Sequence, residues 1–190
     1  TGKGAVAIGL ATSASGAWSH AEGQGAKASG IYSHAEGTSN ASGPMSHAEG
    51  KYTNAKDWYS HVEGLYANAV GSYSHAEGYN TIAANQYEHA QGRYNHSSEN
   101  QIFSIGTGNS DTDRRNAVSV LEVSNNNSYT GSFFVQNVGG YDGTNPTPGT
   151  NDLATVINGM STGGGIGTSS ETWTFTLDDG STVTKNMIIA

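Results

Sequence analysis

Polar and small apolar positions alternate along the first half of the chain in a five-residue word that recurs six times. The copies are Ser19-His20-Ala21-Glu22-Gly23, Ser33-His34-Ala35-Glu36-Gly37, Ser46-His47-Ala48-Glu49-Gly50, Ser60-His61-Val62-Glu63-Gly64, Ser74-His75-Ala76-Glu77-Gly78 and the looser Glu88-His89-Ala90-Gln91-Gly92. Their glycines step by 14 with a single 13. The same step reaches back to Gly9, in Ala7-Ile8-Gly9, and forward to Gly106, in Ser104-Ile105-Gly106. Eight units in register therefore cover residues 1–106, and a fixed short period of this kind specifies a stacked solenoid. A second series, Ala14, Ala28, Ala41, Ala55, Ala69, Ala83 and Ser97, keeps the step, with its 13 between Ala28 and Ala41. That places the deleted residue in the turn after Gly37. Each unit reads as two strands of about five residues joined by two tight turns. Helix is disfavoured, because a glycine, Asn or Asp punctuates nearly every seventh position.

Residues two apart in a strand share a face. Ser19 and Ala21 then point to one side, and Ala26 with Ala28, Thr12 with Ala14, or Thr53 with Ala55 supply matching small pairs on the second strand. Small residues facing one another predict a thin, flattened roll. Coils stacked at roughly 4.8 Å make a rod roughly 35–40 Å long. Glu88, at a serine position, breaks the small-residue rule.

The other face carries the chemistry. One column holds His20, His34, His47, His61, His75 and His89, and a second holds Glu22, Glu36, Glu49, Glu63, Glu77 and Gln91. Two residues before each histidine stands a third: Trp18, Tyr32, Met45, Tyr59, Tyr73 and Tyr87. In the terminal coils the His and Glu positions become Val6 and Ile8, and Phe103 and Ile105. Charged columns closed at both ends by apolar residues describe a buried seam. A lone copy would expose a long apolar stripe, so the chain is expected to self-associate along this face.

Beyond the repeat, three regions are expected: a connector over 107–160, then a linker and hairpin over 161–190. An Asn/Asp-rich loop leads into strands over 117–123 and 132–138, with Asn125-Asn126-Asn127 as their turn. A Gly/Pro loop covers 139–149. Leu153, Val156, Ile157 and Met160 then fall at i, i+3, i+4 and i+7, a short amphipathic helix capped by Thr150, Asn151 or Asp152. A Gly/Ser/Thr linker spans 161–170. Thr172 through Leu177, Asp179-Gly180 and Thr182-Val183-Thr184 give a β-hairpin, with Trp173, Phe175 and Leu177 on one face.

Composition narrows the function. With 34% hydrophobic residues and 27 glycines in 190 residues, a large monomeric core is out of reach; the backbone ladder and oligomerisation must compensate. No cysteine is present, so neither disulfides nor thiolate metal sites form. A net charge of -8 with only 8 Lys+Arg argues against nucleic acid or anionic membranes as partners. No apolar run of membrane-spanning length, signal or lipidation word occurs, and the chain opens at Thr1, like a fragment or processed product.

Ser-His-x-Glu invites a nucleophilic triad, yet neighbours in a strand point to opposite faces, so the hydroxyl does not reach its own imidazole. His-x-Glu also occurs in zinc deaminases, which need a Pro-Cys-x-x-Cys partner that is absent here. Tyr52, Tyr66, Tyr79 and Tyr94, in the turns after the glycines, are candidate sugar-stacking residues, with turn filling as the plainer role. Arg114 and Arg115 beside Asp111 and Asp113 read as a salt-linked turn.

Gly4-Ala5-Val6-Ala7-Ile8-Gly9 followed by Ala14-Ser15-Gly16 resembles the head repeat of YadA-like trimeric autotransporter adhesins. The later words resemble the Ser-His-Ala-Glu-Gly variant of tail fibre and tail spike proteins of phages and prophages. The resemblance covers about 106 of 190 residues. It implies an all-β, left-handed parallel β-roll solenoid of about eight coils, packed as a homotrimer about a threefold axis, with a small mixed β/short-helix region after it. Arg93-Tyr94-Asn95, Gly106-Thr107-Gly108-Asn109 and Arg115-Asn116-Ala117 are similar to the exit from the roll in phage tail proteins, some of which continue into a self-cleaving peptidase or chaperone domain. Lacking a signal, a long coiled-coil stalk and an anchor, the sequence is closer to the phage pattern than to a whole autotransporter.

On a threefold axis the six His positions and the Glu/Gln positions two residues after them, with Val6, Ile8, Phe103 and Ile105, would line the trimer interface. Histidine and glutamate would hydrogen-bond between copies; an axial zinc or nickel on symmetry-related imidazoles is the alternative. Charged pairs would raise the histidine pKa and lower the glutamate pKa, giving greatest stability between the two. The expected function is a non-enzymatic, cofactor-free trimeric fibre segment, on a virion tail or at a cell surface. It would meet a bacterial surface receptor or glycan without inserting into a membrane. A cell-surface adhesin fragment is the second reading, and a polysaccharide-acting tail spike enzyme the third.

Overall fold

The computed structural model describes residues 1–125, 128–136, 142–144, 146, 153, 169–176 and 182–189. The repeat forms β1 (Val6–Leu10), β2 (Ser13–Ala14), β3 (His20–Gln24), β4 (Lys27–Ala28), β5 (His34–Ala41) and β6 (His47–Ala48). It continues through β7 (Lys51–Ala55), β8 (His61–Leu65), β9 (Asn68–Ala69), β10 (His75–Tyr79), β11 (Ile82–Ala83), β12 (His89–Arg93) and β13 (Gln101–Thr107). These stack as a parallel β-solenoid of about 7 turns. The word strands pair in register, so that Val6, the six histidines and Phe103 form one unbroken column. The second strand of each coil is shorter than expected, mostly two residues.

The interior is almost pure alanine. Ala14, Ala21, Ala28, Ala35, Ala48, Ala69 and Ala76 are among the wholly buried residues, and Val62 is the one larger member of the cluster. With mostly methyl groups between the two sides of each coil, little room is left for larger side chains, so the period-2 pattern, small inward and His/Glu outward, sets the slab's thickness. The word serines share this interior. Ser19, Ser33, Ser46 and Ser60 donate to the carbonyls of Gly16, Gly30, Gly43 and Asp57 at 2.7–2.8 Å, tying each turn to its strand.

The turns differ from expectation in one respect. Trp18, Tyr32, Met45, Tyr59, Tyr73 and Tyr87 are not strand residues. They sit at corners with φ of 54–62°, in the left-handed region. A bulky side chain there is unfavourable, and the corner is held by its neighbours: Trp18 N–H donates to Lys3 O, Tyr32 N–H to Ala17 O and Tyr73 N–H to Trp58 O, at 2.8–2.9 Å. The 13-residue coil has lost its other corner, as expected from the deletion. There β5 runs straight from one ladder into the next, with its irregularity between Thr38 and Asn40.

The roll stops for a polar reason. Beyond β11 the side chain of Asn95 takes the place of a strand, accepting from Ile82 N–H at 2.7 Å and donating to Ile82 O at 2.8 Å. Asn116 does the same for His96 N–H and O, at 2.9 and 2.7 Å. Glu88 belongs to this plug. Wholly buried, its carboxylate accepts from Ala84 N–H, Asn85 N–H, the Asn85 amide and the Gln101 amide at 2.8–2.9 Å. Burial nevertheless pushes its carboxyl above the usual range, against those donors. Glu88→Ala strands several buried donors at once and is expected to lower stability by about 3 kcal/mol. Chemical denaturation tests this; a change below about 0.5 kcal/mol, the size of an ordinary surface substitution, would refute the role given to the carboxylate.

After β13 the same sheet turns antiparallel through β14 (Asn116–Asn125) and β15 (Ser128–Val135). These start one and four residues before the strands expected at 117–123 and 132–138. Asn126 and Asn127 of the expected turn lie outside the described residues. The connector is pinned by Arg114, which donates to Asn80 O at 2.8 Å and Asp111 at 2.6 Å and lies over the Tyr94 ring. Arg115 pairs with Asp113, so the salt-linked turn is present. The helix expected over 153–160 lies outside the described residues except for Leu153, which is helical. A separate antiparallel pair, β16 (Ser169–Thr176) and β17 (Thr182–Ile189), is the expected hairpin, begun two residues inside the expected linker. Its Asp179-Gly180 turn, Leu177 and the Trp173 and Phe175 side chains are outside the description.

Candidate functional site

Parallel, in-register strands place identical residues one coil apart, so six histidines become one stack. Ring centroids of successive imidazoles from His20 to His89 are 4.6–4.8 Å apart, with planes within 17° of parallel. Phe103 closes one end edge-on at 5.7 Å. At the other end Val6 and Ile8 continue the columns and are 48% and 57% exposed. Every site residue expected from the sequence thus falls on one face.

Within that face the two columns already approach one another inside a single chain. All six Nε2 atoms are sealed inside the chain itself and make no hydrogen bond. They aim at the glutamate column. His20 faces Glu22 at 3.7 Å and His47 faces Glu49 at 3.9 Å; His75 and His89 look back one coil to Glu63 and Glu77 at 3.9 and 3.5 Å. The contacts that were expected between copies are therefore approached within one chain, just beyond hydrogen-bond length.

The expected rise in histidine pKa is also reversed where a shift is seen. Burial pushes the imidazoles of His34, His47 and His75 below the usual value, and neighbouring imidazoles push the same way. The glutamates pull upward and lose. A stack with like groups every 4.7 Å resists charging, since each added proton meets another above and below.

The same geometry bears on metal binding. His34, Glu36 and His47, and again His75, Glu77 and His89, bring possible ligand atoms within 4.8 Å of one another. Two imidazoles on one tetrahedral zinc bring their nitrogens to about 3.3 Å, with lone pairs converging. Stacked rings hold theirs parallel, so a single chain would have to break its stack to chelate. The triad reading fails on placement: the word serines are buried inside the roll, and four of them, Ser19, Ser33, Ser46 and Ser60, are bonded to carbonyls, while the imidazole column lies on the opposite face of the strand.

Two edges frame the face. On the histidine side runs the aromatic corner. On the glutamate side lies a glycine strip, then the second corner. Tyr52 and Tyr66 stack there at 5.1 Å, and Tyr79 and Tyr94 meet edge-on at 5.2 Å. Gly64 and Gly78 have φ of 111° and 107°, and a Cβ on either would lie 2.2 Å from the next coil's glycine oxygen. The imidazole stack could have been read from the period, because in-register repetition of an aromatic ring at coil spacing is a stack. The left-handed corners could not, since Trp and Tyr are not residues that announce such a conformation. No protein-family model matches this chain, and no curated protein matches it either.

Proposed function

We propose that the chain is a non-enzymatic rod segment of a fibrous attachment protein, assembled as a trimer along its histidine–glutamate face, of the phage or prophage tail fibre type. The observation that carries this reading is the face itself. It repeats from coil to coil and leaves Val6, Ile8 and the aromatic corner exposed, a stripe that a solitary soluble chain rarely presents. In this reading the roll supplies length and stiffness, and the connector after Thr107 presents surface to a bacterial receptor or glycan. A bacterial cell-surface adhesin fragment would use the same rod and is the second reading, favoured by the resemblance of residues 4–16 alone.

Incubating the assembled protein with purified capsular or lipopolysaccharide glycan separates binding from cleavage. Retention of glycan of undiminished chain length is the expected result. Progressive shortening of the glycan would replace this reading with that of a polysaccharide-acting spike, and retention of host matrix protein instead of bacterial glycan would favour the adhesin.

A further inference from the structure

One edge of the histidine–glutamate face is a ridge and the other a groove. The ridge is Trp18, Tyr32, Met45, Tyr59, Tyr73 and Tyr87, each 41–61% exposed. The groove, about 490 Å³ over the later coils, has Glu63 and Glu77 on one wall and Gly64, Gly78 and Gly92 as its floor. It recurs over the early coils between Glu22, Glu36, Gly23 and Gly37. Backbone packed against backbone, coil on coil, keeps the floor free of side chains.

The geometry points to a second copy of this chain as the occupant: the aromatic ridge of one protomer seats in the glycine groove of its neighbour, with the two rods parallel. The inference rests on the self-assembly proposed above and specifies its contact. Three observations select this partner. Ridge and groove both advance one residue per coil at the same rise of about 4.8 Å, so a projection meets a recess at every level. Phenol and indole groups are donors, and the groove wall offers acceptors. The nearest imidazole nitrogens stand 3.5–3.9 Å from Glu22, Glu49, Glu63 and Glu77, which leaves those carboxylates able to accept. Finally, other occupants find little to hold. Corner backbone groups are already bonded coil to coil, so a peptide strand has no ladder to join. The Tyr59, Tyr73 and Tyr87 rings stack on one another at 5.0 and 5.4 Å, so Tyr73, at the centre, offers a sugar ring no free face. Because ridge and groove lie on opposite edges, each copy gives one and receives one. A contact of that kind is heterologous, the kind from which closed rings, and not two-fold pairs, are built.

The full chain carrying a benzophenone amino acid in place of Tyr73 tests this. Labelled and unlabelled chains are mixed, irradiated and digested, and the assembly mass is measured in parallel. Crosslinks joining the probe to residues 49–50, 63–64, 77–78 or 91–92 of a different chain are expected. Tyr73→Ala should also weaken assembly at least tenfold with an unchanged far-ultraviolet spectrum. Crosslinks to other residues within a protein that still has trimer mass would overturn the ridge-in-groove contact and leave self-assembly standing. A dissociation constant unmoved by Tyr73→Ala would overturn the contact in the same way. A single-chain mass would overturn both.

Discussion

Gly64→Ala is expected to destabilise the protein by about 4 kcal/mol or more, a large part of the 5–15 kcal/mol that holds an ordinary domain together. Two independent terms add. The backbone at Gly64 has φ of 111°, outside the regions open to an L side chain. The new Cβ would also lie 2.2 Å from the Gly78 oxygen, against backbone that is laddered to the next coil and unable to move alone. Relief would require the coils to separate, breaking the hydrogen bonds that replace a conventional core. The matched control is Gly131→Ala in β15, where a Cβ meets nothing within 4 Å; its effect should stay within about 0.5 kcal/mol. Equal stability losses at the two positions, by urea titration, would sink the claim that close coil stacking makes the glycine column obligatory.

Acid should weaken the fold well before the ordinary carboxylate range is reached. A histidine whose pKa is depressed by folding contributes stability that is full above its unfolded value, about 6.5, and that is lost as pH falls toward the folded value. His34, His47 and His75 are all shifted in this direction, by burial first and by adjacent imidazoles second. Glu22, Glu36, Glu49, Glu63 and Glu77 oppose the shift from the same face. Glu88 acts in the opposite sense. Its raised carboxyl favours the folded chain on protonation, yet it is one group against the three shifted imidazoles. Thermal melting followed from pH 8 to pH 5 should give a plateau and then a fall of several degrees below about pH 6.5. A melting temperature that rises over the same interval would mean that the carboxylates, not burial, dominate the imidazoles.

Much of this structure was legible because the repeat states it more than once. The glycine step gave the coil, the alternation of Ser/Ala with His/Glu gave the two faces, and the single 13-residue step located the lost corner after Gly37. What escaped was set by contacts between elements distant in sequence. Asn95 and Asn116 end the roll by imitating a strand with their side chains, which no local pattern signals. Glu88 looked anomalous at a serine position because its partner Gln101, one coil away, becomes a neighbour only when the coils stack. The register places the expected His and Glu columns on one face, while the approach of imidazole to carboxylate inside one chain was not anticipated. Separate columns in sequence do not reveal that one strand's imidazole leans toward the glutamate of its own or the preceding coil.

The decisive quantity is the molar mass of the intact protein in dilute neutral buffer, by sedimentation equilibrium. If the histidine–glutamate face is sealed between copies, the mass is three times the 19.6 kDa of one chain and persists on dilution to the lowest detectable concentration. A stable species of 19.6 kDa with native β-sheet circular dichroism would contradict the account, since the apolar and imidazole columns would then be facing water.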